Sequence, residues 1–180
     1  MQFLHWHGKF KPIQFFTATI LEWKHLFKPD KYKDLLIQSL TFLVQENRAK
    51  IYGFVIMPNH IHLLWRIGEA FTREAVQRDF LRYTAQHIKF DLQRQHPKVL
   101  ERFCVQAGDR KYQFWERNAL SVDLLGCRMI EQKLHYIHQN PLQEKWNLAG
   151  QPEDYLYSSA SYYYQEQDRF GFLTHYKDDC

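Results

Sequence analysis

Glycine and proline are scarce, at seven and six in 180 residues, so few segments read as linkers. The three cysteines, Cys104, Cys127 and Cys180, are odd in number, far apart and form no CxxC. Neither a zinc knuckle nor a disulfide framework follows, and a reduced, cytoplasmic protein is expected. No apolar stretch reaches membrane-spanning length, and the opening MQFLHWHGKF lacks the apolar core of a leader. Internal repeats and low-complexity segments are also missing. Charge of one sign does not dominate: the net value is +4, which permits a phosphate-bearing partner without demanding one. Aromatic residues are what the chain has in excess, at 17%. They fill cores, and they also stack on bases. With 45% apolar and 24% charged residues the composition is that of one globular domain, which excludes disorder, collagen and coiled coil.

Along the chain, IQFFTATI (residues 13–20) is rich in aromatic and β-branched types and reads as a strand. Asp30 stands where an N-cap belongs, and Tyr32, Leu35, Leu36, Leu40, Leu43 and Val44 predict an amphipathic helix to about Arg48. IYGFVIM (51–57) and HIHLLWRI (60–67) are strands broken by Pro58-Asn59, a turn short enough to make them an antiparallel hairpin. Thr72 caps a helix to about His96, with Val76, Phe80, Thr84, Ile88 and Leu92 on one face and Pro97 closing it. Residues 98–111 read as a basic loop, and 112–122 as a fourth strand. Asp123 caps a last helix ending at Asn140-Pro141, and the tail after it shows no periodicity. The order β-α-β-β-α-β-α predicts an α+β, ferredoxin-like split βαβ arrangement: an antiparallel sheet with two helices on one face, plus a C-terminal helix and tail. A single domain over 1–180 is expected, with its core at about 13–141 and its tail at 142–180.

Two segments carry candidate chemistry. In MPNHIHLLW, strand alternation projects His60 and His62 from one face, with Leu64 and Arg66 beyond them. Ile61, Leu63, Trp65 and Ile67 project from the other, wholly apolar face, which suits the helix-covered core and leaves the histidines opposite it. Two imidazoles can both reach a metal or a phosphate, yet two ligands alone do not make a metal site. In KLHYIHQNP, Ile130, Leu134 and Ile137 form a packing face, while Tyr136 and Asn140 share one flank and His135 and His138 the other. That spacing favours Asn140 over His138 as a third ligand beside a tyrosine hydroxyl. The bland alternative is a packing tyrosine followed by an Asn helix cap before proline. A phenol oxygen attacks only an activated target, and a divalent cation activates a phosphate. Together the segments point to phosphoryl transfer through a phosphotyrosine.

MPNHIHLLW, YIHQNP and PEDYLYSS, in this order, resemble the single-tyrosine HUH transposases of small insertion sequences and their REP-associated relatives. The similarity runs from IQFFTATI to PEDYLYSSASYYY, and Asn140 in YIHQNP points to the REP-associated branch. The resemblance implies a ferredoxin-like core, a homodimer, and single-stranded DNA carrying a hairpin as partner. It implies a single-strand endonuclease and strand transferase in DNA transposition or recombination. Tyr136 would take the 5′-phosphate and free a 3′-hydroxyl, while His60, His62 and Asn140 hold Mg²⁺ or Mn²⁺. It leaves open whether the tyrosine serves its own subunit or the partner.

Arg66, Arg82, Arg110, Lys111 and Arg117 are candidates for the DNA backbone, each also readable as a solvated surface charge. Tyr155, Tyr157, Tyr162, Tyr163 and Tyr164 suit tail packing better than base stacking. Rival enzymes fit less well. A histidine-triad nucleotidyl hydrolase needs a third histidine where Leu64 stands, and a two-histidine oxygenase needs a carboxylate nearer than Glu69 or Glu74. A hairpin-binding regulatory module without catalysis is the alternative of a different class.

Overall fold

The computed structural model describes residues 11–180; the opening MQFLHWHGKF, read above for a leader, lies outside them. Strand β1 (Ile13–Thr19) is followed by helix α1 (Asp30–Gln45), strands β2 (Ala49–Met57) and β3 (His60–Ile67), and helix α2 (Arg73–Gln95). A short helix α3 (Pro97–Glu101), strands β4 (Cys104–Ala107), β5 (Arg110–Tyr112) and β6 (Leu120–Leu124), and helix α4 (Cys127–Gln139) come next. Helix α5 (Ala160–Gln165) lies in the tail. The main sheet has the order β2-β3-β1-β6 with every pair antiparallel. That is the split βαβ arrangement the element order predicts.

The two faces of β3 decide the layering. Trp65 lies against Phe80 of α2, with ring centroids 6.3 Å apart, so the face of Ile61, Leu63 and Trp65 meets α1 and α2. Val76, Phe80, Thr84, Ile88 and Leu92 are the buried residues of α2, and the Thr72 side chain accepts from the Ala75 N–H at 3.2 Å. Each fully buried apolar side chain there contributes about 1.5–3 kcal/mol. The second face is covered as well. Helix α4 packs on β2 and β3, and Gly53 permits its approach: a Cβ at that position would meet Leu134 Cδ2 at 2.5 Å. The histidine-bearing face, opposite the main core as strand alternation predicts, is therefore a second interior. His60 and His62 are both 5% exposed.

The tail seals the β2 edge. Ile56 N–H donates to Tyr157 O, Ser159 N–H to Phe54 O, and Thr174 N–H to Ile51 O. An edge strand left open invites pairing with other chains, and these bonds occupy it. Tyr155, Tyr157 and Tyr163 turn their hydroxyls inward, to Ile56 O, Asp34 and Tyr52 O, so they hold the tail down.

Several local expectations are corrected. Asp30 is the first residue of α1 and pairs with Lys33 at 2.8 Å instead of capping it. Pro97 opens α3 because proline suits a first helical turn, and residues 98–111 form that helix and the β4–β5 hairpin. The fourth sheet strand starts at Leu120, Asp123 lies within it, and Gly126 at φ 98° precedes α4. Cys127 and Cys180, read as free thiols, are joined in a disulfide: the tail returns to the start of α4 and brings their Cα atoms to 5.6 Å. Among the described residues no helix is long and apolar enough to cross a membrane.

Candidate active site

The β2–β3 turn is bolted to the segment after β1. Ile20 N–H donates to Asn59 O, Phe27 N–H to Pro58 O, and Asn59 Nδ2 to Trp23 O at 3.0 Å. This fixes the position from which His60 starts β3. Register then sets the partners of the histidines: Thr17 of β1 stands directly opposite His62. The Thr17 hydroxyl lies 2.7 Å from His62 Nδ1, and Asn59 Oδ1 lies 2.7 Å from His60 Nδ1. An amide oxygen only accepts, so His60 carries its proton on Nδ1 and keeps a lone pair on Nε2. Among the described residues neither Nε2 has a hydrogen-bond partner.

The two imidazoles are 4.7 Å apart between centroids and face a cationic surrounding. Burial first, then the charge of Lys145, lowers the His60 pKa to about 4. Burial, His60 and Lys133 lower that of His62 to about 3. Both rings are neutral at physiological pH, the state a metal ligand requires. Free Nε2 atoms, neutral rings and Nδ1 positions held by neighbouring side chains are what two metal-ligating imidazoles would need. Among the described residues no third histidine, cysteine or carboxylate completes a cluster, which removes the carboxylate that an oxygenase would need. Any further protein ligand would have to be another donor type, such as the amide of Asn140.

Tyr136 projects from α4 toward this pair. Its ring is 5.4 Å from that of His62 and 6.2 Å from Phe15, edge-on to both. The residue is 45% exposed, so one side of the ring is open to solvent. Lys133, one turn earlier, holds its ammonium 4.6 Å from the Phe15 ring centroid and 5.6 Å from that of Tyr136. Asn140 is buried at the end of the same helix and opens the turn Asn140–Leu142. His138 turns the other way: its Nε2 lies 2.8 Å from Ser159 Oγ, which also receives Phe54 N–H. Burial lowers its pKa to about 3. It anchors the tail.

The candidate DNA cations are dispersed. Arg66 is buried and paired with Asp179 at 3.1 Å, because the tail folds back over the sheet. Arg82 lines a groove between α1 and α2, on the sheet face opposite the histidines. Arg110 and Arg117 share Asp109, and Lys111 lies over Tyr112. Thr17, Asn59, Lys133, Trp23 and Trp146 were not singled out by the sequence. Thr17 was within reach once β1 was set antiparallel to β3, and Asn59 lay inside the motif beside His60.

No family model matches the chain, and no curated protein matches it in sequence. Among solved structures it is similar to a REP-associated tyrosine transposase bound to a REP hairpin. The TM-score is 0.60 at 14% identity, covering 97% of this chain and 89% of that one. The chain has the fold of that transposase. A candidate transposase of Deinococcus radiodurans R1 is also similar, with a TM-score of 0.46 at 14% identity over 77% of this chain and 97% of that one. Within this chain the β2–β3 strand pair and helix α4 pack together, and the rings of His60, His62 and Tyr136 meet between them.

Proposed function

We propose that the protein binds single-stranded DNA carrying a hairpin, and cleaves and rejoins it through a 5′-phosphotyrosine on Tyr136. The observation that carries this reading is the Tyr136 ring standing beside His62 within one chain, with the imidazole Nε2 atoms free of protein partners. The residues that would hold Mg²⁺ or Mn²⁺ are His60, His62 and Asn140. When bound, such an ion supplies Lewis-acid polarisation of a phosphoryl oxygen. The chain itself does the rest. Tyr136 Oη gives up its proton to solvent and forms a bond to phosphorus. The bond from phosphorus to the 3′-oxygen breaks, and that oxygen takes up a proton from solvent and leaves as a hydroxyl. The phosphodiester energy is kept in the tyrosyl ester, so a second 3′-hydroxyl can reverse the step and join strands. Lys133 and Lys145 flank the histidines and favour an anionic phosphate there.

A denaturing gel tests this with hairpin DNA from the flanks of the protein's own gene, in the presence of Mg²⁺ or Mn²⁺. The expected result is a nuclease-sensitive, slower-migrating protein band that Tyr136→Phe abolishes. Tight native binding without any such band would leave a hairpin-binding module in place of an enzyme.

A further inference from the structure

Across the histidine pair from Tyr136 lies a second set of aromatic groups that the chemistry above does not use. Trp23 is 62% exposed, and its ring is edge-on to His60 with centroids 6.2 Å apart. Trp146 is tilted against the same His60 at 6.0 Å and against His25 at 5.4 Å. Tyr136 by contrast meets His62, so the order through the site is tyrosine, His62, His60, indoles.

The backbone keeps Trp23 out in solvent at a cost. Glu22 and Trp23 are consecutive non-glycine residues in the left-handed region, at φ 55° and 56°. Such a conformation persists only where neighbours hold it. Here Asn59 Nδ2 donates to Trp23 O at 3.0 Å, and Glu22 N–H donates to Glu116 at 2.7 Å. The side chain that fixes Trp23 is thus the one that also orients His60. Trp23 forms one wall of a cleft of about 750 Å³, where it is joined by Lys24, His25, Lys28, Lys31 and Arg102. Lys24 and Lys31 are paired with Glu22 and Asp91, but Lys28 and Arg102 have no acidic partner among the described residues. An exposed indole above a cationic cleft suits an unpaired nucleotide: the base stacks and the backbone meets the cations.

Phosphoryl transfer adds a polarity. The attacking and leaving oxygens lie roughly in line through phosphorus. With a phosphate against His60 and His62 and Tyr136 attacking from the His62 side, the 3′-oxygen departs toward His60 and the indoles. We propose that Trp23 is the stacking platform for the unpaired base of the nucleotide that carries the departing 3′-oxygen. This rests on the strand-transfer reading of Tyr136, and it adds which flank of the cut strand the protein grips.

The test is an affinity cycle with the full chain, which needs no turnover. Hairpin oligonucleotides carry a single abasic site stepped along the single-stranded flank, and Kd is measured for wild type, Trp23→Ala and Trp23→Phe. The cut position comes separately from sequencing the freed strand. We expect the abasic site just 5′ of the cut to weaken wild type on the order of tenfold. Trp23→Ala should bind the intact strand with the same loss and show no further loss at that abasic site, while Trp23→Phe retains most of the affinity. The inference is overturned if Trp23→Ala binds as wild type, if its loss adds in full to that of every abasic site, or if the coupled base lies 3′ of the cut. Absence of a protein–DNA adduct would strike the strand-transfer reading instead, and the abasic coupling would still report whether Trp23 holds a base.

Discussion

The phenol ring of Tyr136 and the imidazole of His62 meet edge-on, 63° between planes, although they stand 74 positions apart in the chain. Strand register brings one of them there and helix packing brings the other. Replacing Tyr136 with Phe keeps the ring, its contact with His62 and its contact with Phe15, and removes only the oxygen proposed as the nucleophile. Thermal stability and hairpin affinity should stay within error of wild type, while the covalent protein–DNA band falls to background. Residual adduct at the wild-type level would assign the nucleophile elsewhere.

Thr17 and Asn59 hold the Nδ1 sides of the two histidines, and such partners set ring orientation and ligand basicity. Thr17→Val keeps the shape of the side chain and loses the hydroxyl. Affinity for Mn²⁺, measured by calorimetry on the DNA-free protein, should drop roughly 10- to 100-fold. Circular dichroism should show an unchanged fold. Equal Mn²⁺ affinity in Thr17→Val would mean that this hydroxyl does not orient a ligand.

Gly53 sets the height of α4 above the sheet. A Cβ there would meet Leu134 Cδ2 at 2.5 Å and Ile137 Cδ1 at 3.3 Å. Alanine is tolerated in part, because Leu134 presents the flexible end of its side chain. Valine is larger and should cost about 1–3 kcal/mol in denaturant unfolding, as overpacked cores do. Because α4 carries Tyr136, the folded fraction of Gly53→Val should also cleave more slowly than wild type. Wild-type stability together with wild-type cleavage would show that the helix height is not set here.

Much of this arrangement was readable from pattern. The five buried residues of α2 recur at helical spacing, and Thr72 marks its start, so both were legible. His60 and His62 share a face by strand alternation alone. What alternation cannot show is what lies above that face: Leu134 and Ile137 reach it only because residue 53 has no side chain. Asp123 looked like a helix cap because cap preference is local, whereas its place in β6 follows from pairing with Gln14, 109 residues earlier. The tail had no period to read, since it is held by individual hydrogen bonds from Tyr155, Tyr157 and Tyr163.

Arg66 shows the same blindness with an electrostatic consequence. It stands on the histidine face two steps beyond His62, yet its guanidinium is closed off by Asp179, which also accepts from Lys50 and Tyr52. Burial of Asp179 opposes ionisation, but the hydrogen bonds of Lys50 and Tyr52 and the charges of Lys50 and Arg66 outweigh it and hold its pKa below the ordinary carboxylate value. A carboxyl depressed in the folded state binds fewer protons than in the unfolded chain. Its contribution is therefore complete above the usual Asp value near 3.9 and is lost as pH falls through that value toward the folded one. Asp179→Asn should lower stability at pH 7 by roughly 1.5–3 kcal/mol, the range for hydrogen bonds to charged groups. The difference from wild type should narrow as pH falls below about 4, where the carboxyl of the unfolded chain takes up its proton before the folded one does. Chemical denaturation at pH 7 and pH 3 measures both, and an equal gap at the two values would show that this carboxylate does not hold the tail through its charge.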